Sequence, residues 1–348
     1  MLIQRQGDAR PYRRARTWLV ATSILASGIA APAMAQVARE HRNIDANGVD
    51  LTHGDFLASV TEGSIGSGNN ELALIRDGIW VGGSADTNGH QWDRIYFEQI
   101  AGPGGVLSWT VRTGAKFERF TSQGTLPSGS SLSGGGGSFQ YRTRDGTVIT
   151  FGNPSESFDP RSPFCNGSEE QTNCSLKPVS ITSPNGKTVA LSWDSWFACQ
   201  PFNPNCHIGL RIGSVSNSAG YSIRFSYASG GTGGTSPAPD SWHRRTGATF
   251  HNDSVSGSPV QASTSYAYPS TGVTEVTDTG GQVWRLTGSG GGIAAIRRPG
   301  ATSDTTTITG TSAAVTSVTR DGVTTHYSRS VSGTTATMIV TNALSQQT

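Results

Sequence analysis

Four cysteines are the residues of this chain best spaced for covalent chemistry. Cys165 and Cys174 enclose eight residues, and Cys199 and Cys206 enclose six. Four cysteines allow three pairings. Pairing Cys165 with Cys174 and Cys199 with Cys206 is favoured, because each closes a short loop that holds Pro, Asn or Gly. A metal site needs closer C-x-x-C-like spacing or histidine partners, and only His207 stands next to a cysteine. Two structural disulfides are therefore expected, in keeping with an oxidising compartment.

The chain's seven histidines, with many serines and scattered aspartates, show no local signature of catalysis. There is no G-x-S-x-G elbow and no H-E-x-x-H pair. His243-Arg244-Arg245 and His251-Asn252-Asp253 bring polar groups close together, but both lie in turn-like sequence. Asp45-Ala46-Asn47-Gly48-Val49-Asp50 looks like the start of a calcium loop, yet its twelfth position is Phe56, where a bidentate glutamate is required. It reads instead as an Asx-Gly turn before a strand. Gly63 to Gly68 does not match a dinucleotide fingerprint and reads as a β-turn. No catalytic residue, no metal ligand and no cofactor is expected.

Eight Trp and eight Tyr raise the question of sugar stacking, with Trp193, Trp196 and Phe197 beside the Cys199–Cys206 loop and Trp242 further on. In a chain this poor in aliphatic residues, aromatics first fill the core. An exposed glycan platform is the alternative.

The elements that would carry these residues follow from composition. Glycine fills 45 of 348 positions, 14% of residues are charged and 34% are hydrophobic. After residue 35 there are no windows rich in Ala, Leu, Glu or Lys, and Gly, Ser and Thr are poor helix formers. This excludes a helical bundle and a coiled coil. It predicts an all-β protein of antiparallel hairpins in an extended, curled sheet, with Gly/Ser-rich loops and no substantial helix after the leader.

That leader is residues 1–35. Arg5, Arg10, Arg13, Arg14 and Arg16 precede the uncharged stretch Trp18 to Ile29, and Ala33-Met34-Ala35 offers a cleavage site before Gln36. Basic, apolar and A-x-A regions in that order form a secretory signal, too short to span a bilayer. The protein is expected in the periplasm, at the cell surface or secreted, with no membrane span after cleavage between Ala35 and Gln36. Removing five arginines and Asp8 leaves the rest of the chain slightly acidic, without a basic stripe for nucleic acid.

Strand-like stretches follow, among them Leu72 to Ile75, Arg94 to Gln99, Val106 to Arg112, Lys116 to Thr121, Phe139 to Thr143, Thr147 to Phe151, Thr188 to Trp193, Ser222 to Tyr227, Gln282 to Leu286 and Thr324 to Tyr327. A unit of Ser/Thr/Asp/Asn, Gly and an aromatic-rich strand recurs without fixed period around Gly146, Gly186, Gly220, Gly281 and Gly322. Each is expected to be a hairpin whose turn needs a positive φ. Residues 127–138, 229–240 and 288–292 read as loops. The second divides the chain into a β domain at 36–228, a flexible linker at 229–240 and further hairpins at 241–348.

The segment from Asn43 resembles the N-terminal region of bacterial RHS/YD-repeat proteins. The resemblance lies in Asn47-Gly48-Val49-Asp50-Leu51-Thr52-His53-Gly54-Asp55-Phe56, Thr61-Glu62-Gly63-Ser64-Ile65-Gly66, Leu72-Ala73-Leu74-Ile75-Arg76, Asn88-Gly89-His90-Gln91-Trp92-Asp93, and the hairpins at Lys116 to Phe120 and Asp145 to Phe151. It spans about 43–228, and loosely 270–330. The sequence departs from the family at Arg76-Asp77-Gly78-Ile79-Trp80, where a tyrosine would follow the arginine, and contains no Tyr-Asp dipeptide. The resemblance implies a non-enzymatic part of a β-sheet shell or cell-surface assembly. A secreted adhesin-like or carbohydrate-binding module is the alternative, and a cell-wall or polysaccharide hydrolase the third. The expected partner is a protein, or a second copy meeting an exposed β edge, with a glycan as the alternative. The chain, ending at Leu344-Ser345-Gln346-Gln347-Thr348, is expected to be the front piece of a longer protein, with 241–348 the start of a repeat region that continues or is truncated.

Overall fold

The computed structural model describes residues 44–81, 84–86, 89–101, 107–114, 116–135, 137–152, 173–198, 207–234, 238–289, 292–311, 314–333 and 335–348. Among them the alternating stretches become β-strands. The first are β1 (Phe56–Ile65), β2 (Leu72–Val81) and β3 (Ser84–Asp86), with a single 3-10 turn at Gly68–Asn70. Then come β4 (Ile95–Ala101), β5 (Leu107–Thr113), β6 (Lys116–Phe120), β7 (Gly124–Thr125), β8 (Ser131–Gly135), β9 (Ser138–Arg142) and β10 (Val148–Gly152). The long strands β11 (Asn173–Thr182), β12 (Thr188–Ala198) and β13 (His207–Asn217) lead to β14 (Tyr221–Tyr227) and the two-residue β15 (Gly233–Gly234). One helical turn, α1 (Asp240–His243), precedes β16 (Arg245–Asn252), β17 (Val260–Ala267), β18 (Val273–Thr277), β19 (Val283–Ser289) and β20 (Gly292–Arg297). The series ends with β21 (Thr306–Gly310), β22 (Val315–Arg320), β23 (Val323–Ser332) and β24 (Thr335–Thr341).

β1, β2 and β3 form a small antiparallel sheet of their own. The rest form one large open sheet that does not close into a barrel. Strand follows strand from β7 to β14, β14 pairs with β16, and the succession then runs on to β24. The first four residues of β11 pair with β4, which continues into β5 and β6. The expected all-β antiparallel architecture is what the chain adopts.

The turn glycines make this succession possible. Gly146, Gly186, Gly220 and Gly281 sit at φ between 75° and 92°. Each donates its N–H to the carbonyl three residues back, at 2.9–3.1 Å. At the last turn Asp321 and Gly322 both take positive φ, as a two-residue type I′ hairpin requires.

Two stretches expected as loops are partly strand. Residues 131–135, inside the run 127–138, form β8 against β9. Its few side chains suffice because Leu132 is buried, and Gly134 lies where a Cβ would press on the Ser138 carbonyl. In 288–292, β19 reaches Ser289 and β20 begins at Gly292. Within 229–240, β15 pairs with Phe197 and Ala198, and the flanking strands β14 and β16 are direct neighbours. Residues 1–35 and Cys165, Cys199 and Cys206 lie outside the described residues, while Cys174 lies on β11 opposite Gln99.

The small sheet lies against the large one, and β1 crosses its strands. At one end the Gly54 carbonyl accepts from Val315 of β22, and at the other Gly66 packs on Tyr221 of β14. Phe56 and Ala58 join a core with Val276, Leu286, Ile308, Val318 and Tyr327. Ile65, Leu72 and Leu74 join a second core with Phe97, Phe139, Ile181, Val215 and Phe250. The front segment thus supplies apolar cover for hairpins far apart in the chain.

Candidate functional site

Between the two cores lies a buried cluster of charged side chains. Alternation along β1 buries Phe56, Ala58, Val60 and Glu62, so a carboxylate falls on the apolar phase of the strand. A β-bulge at Glu62 shifts the register between Thr61 and Gly63, and both Glu62 and Gly63 are buried. Gly63 is required by close approach: a Cβ there would come within 2.4 Å of Thr279 Cγ2 and 2.8 Å of Phe250 Cζ. The Glu62 carbonyl accepts from Thr279 N at 3.0 Å, which locks the bulge onto the turn between β18 and β19.

Glu62 is surrounded by donors. Arg76 Nε of β2 donates to Oε1 at 2.5 Å, and Tyr266 OH of β17 donates to Oε2 at 2.5 Å. His90 Nε2 lies 2.9 Å from Oε2. The Arg76 guanidinium also lies over the Tyr266 ring. His90 is presented by a tight turn in which its N–H donates to Asp93 Oδ2, while Gln91 clamps the turn to β2 through Ile75 N and Ala73 O.

Arg245, the first residue of β16, closes the cluster. Its Nη1 and Nη2 form a two-pronged pair with Asp93, at 2.8 and 2.7 Å, and Nη1 also lies 2.5 Å from His90 Nδ1. Burial alone would raise the Glu62 carboxyl. Attraction to His90 and Arg76, with the hydrogen bonds from His90 and Tyr266, outweighs it and brings Glu62 down to about 2. Burial opposes ionisation of Asp93 as well, and Arg245 and His90 hold it well below the usual carboxylate range. Burial and the neighbouring Glu62 push the Tyr266 phenol upward.

A cavity of about 780 Å³ opens beside this cluster. Asp93, Arg245, Tyr227 and Tyr268 belong to its wall, with Arg211, Asp240, His243 and Arg244. Arg211 is sandwiched between the Tyr227 and Trp242 rings, at 4.1 and 4.2 Å, and its Nε donates to Asp194.

The motifs quoted for the resemblance thus converge in space: Glu62, Arg76, His90 and Asp93 meet Arg245 of the triplet His243-Arg244-Arg245. Tyr266 was not singled out by the sequence. His251-Asn252-Asp253 stays apart, with the His251 ring held by Ser258 O and Thr249 Oγ1. The Asp45 loop is a turn: Asp45 Oδ1 accepts from Asn47 N and Val49 N, and Oδ2 accepts from Tyr327 OH of β23. Trp193 and Trp242 are core residues, Trp196 packs edge-on against Trp242, and the side chain of Phe197 lies outside the described residues. Among the described residues no group of three His, Cys, Asp or Glu is placed to hold a metal ion.

No protein-family model matches the chain, and no curated protein matches it. Among solved structures it is similar to a TcdB2-TccC3 crystal structure, with 10% identity and a TM-score of 0.37, over 69% of this chain and 17% of that one. It is also similar to the Photorhabdus luminescens Tc holotoxin pore, with 8% identity and a TM-score of 0.38, over 82% and 19%. A porin-like protein from Bacteroides uniformis is similar at 11% identity and a TM-score of 0.26, over 71% and 93%. The chain spans less than a fifth of the first two, and at these scores none of the three bears on its function.

Proposed function

We propose that this chain is an exported, non-enzymatic structural and interaction protein, similar to the front part of an RHS/YD-repeat shell or cell-surface protein. The observation that carries the reading is the outer edge of β24. Val340 and Thr348 exchange both backbone hydrogen bonds at 3.0 Å on the side of β24 away from β23. Antiparallel alternation turns the backbone groups of Met338 and Ala336 the same way, and among the described residues none of those four groups has a backbone partner there. An antiparallel strand of a partner protein, or of a second copy, can add at that edge.

The buried cluster supports a structural role. Glu62 and His90 are each 0% exposed, and their polar atoms are spent on Arg76, Tyr266 and Arg245, out of reach of a substrate. Equilibrium sedimentation tests the reading: residues 36–348 should associate, and Ala336→Pro should reduce that association.

A further inference from the structure

We infer that the cavity bounded by α1, β16 and the β17–β18 turn binds an acidic saccharide, with Arg244 receiving its carboxylate. This does not depend on the shell reading. The cavity's 780 Å³ lies within the range of small-ligand sites. Three arginines line it, and they differ in how they are satisfied. Arg245 is paired with Asp93 and Arg211 with Asp194. Arg244 is exposed, with its guanidinium 5.6 Å from the centre of the Tyr268 ring, and among the described residues no carboxylate bridges it. A guanidinium held over an aromatic face beside a cavity presents a planar fork that suits a carboxylate.

The rest of the wall selects for a hydroxylated partner rather than an apolar one. Leu210 and Val273 are its aliphatic contributions, whereas Ser270 and Thr271 bring hydroxyls. The Trp242 indole is fully buried and the Tyr227 ring is covered by Arg211, so neither ring offers an open apolar face to the cavity. Asp240, exposed on the same wall, is an acceptor for sugar hydroxyls rather than for the acid group. His243 lies between Asp240 and Arg244, and burial and the nearby Arg211 lower its tendency to carry charge. The positive charge available to the ligand is therefore that of Arg244.

Isothermal titration of the folded protein with a galacturonate trisaccharide tests the assignment, beside the neutral galactose trisaccharide and an acidic peptide of equal charge. Binding of the galacturonate is expected, with affinity at least about tenfold lower for the neutral sugar and for Arg244→Gln, the loss of one charge-assisted contact. Arg244 is exposed, so the variant should keep its melting temperature, which separates loss of binding from loss of fold. Equal binding of the neutral sugar, no effect of Arg244→Gln, preference for the acidic peptide, or no binding by folded protein would each overturn it.

Discussion

Arg245 Nη1 lies 2.5 Å from Nδ1 of His90, and this contact orients the imidazole ring. A guanidinium only donates, so Nδ1 accepts from Arg245 while Nε2 faces Glu62. The two residues are 155 positions apart in the chain, and their contact ties the turn before β4 to the start of β16.

Glu62 should therefore be the most sensitive position of the cluster. Glu62→Ala leaves Arg76 buried without its carboxylate, and removing one partner of such a pair costs about 3–5 kcal/mol. Urea unfolding measures this. A loss below about 1 kcal/mol would show that the cluster does not hold β1 to the sheet.

Acid should loosen the same contact. The Glu62 carboxyl is lowered in the folded protein to about 2, so its stabilising contribution is complete above the ordinary carboxylate range and is lost as the pH falls toward 2. Thermal melts between pH 7 and pH 2 should show a decline that is smaller in Glu62→Gln. Parallel declines in both proteins would assign the effect to other carboxylates.

Gly63 should tolerate no side chain. The Thr279 methyl and the Phe250 ring occupy the space of a Cβ, so Gly63→Ala must push β1 off the β18–β19 turn at a cost of about 1–3 kcal/mol. Gly186→Ala is a different case: the space around it is open, but its φ of 81° strains any side chain. Chemical denaturation of both variants should show destabilisation, with a changed environment of Phe250 in Gly63→Ala alone.

The cysteines should pair locally. Non-reducing peptide mapping is expected to recover Cys165 joined to Cys174 and Cys199 joined to Cys206, each short loop adding about 2–3 kcal/mol. A cross-pair such as Cys174–Cys199, or free thiols, would contradict this.

The hairpins were legible because their cause is local. Glycines 146, 186, 220, 281 and 322 all take the positive φ that their neighbouring residues imply, and the strands named from alternation formed, several of them running on beyond the expected end, as β2 does to Val81 and β12 to Ala198. What escaped was set by partners distant in sequence. β8 exists because β9 lies beside it, not because Ser131 to Gly135 favours a strand. Tyr266 meets Glu62 across 204 positions, which no spacing rule reaches. One signal was readable: Glu62 falls on the buried phase of Phe56, Ala58 and Val60, and a charge in that phase requires a buried partner.

The open edge of β24 is the central claim, and equilibrium sedimentation tests it most directly. Residues 36–348 should associate with rising concentration at tens of micromolar. Ala336→Pro removes an outward N–H without breaking the ladder to β23, and should shift the protein toward monomer while leaving its circular dichroism unchanged. A monodisperse monomer for the parent protein, unchanged by Ala336→Pro, would contradict the account.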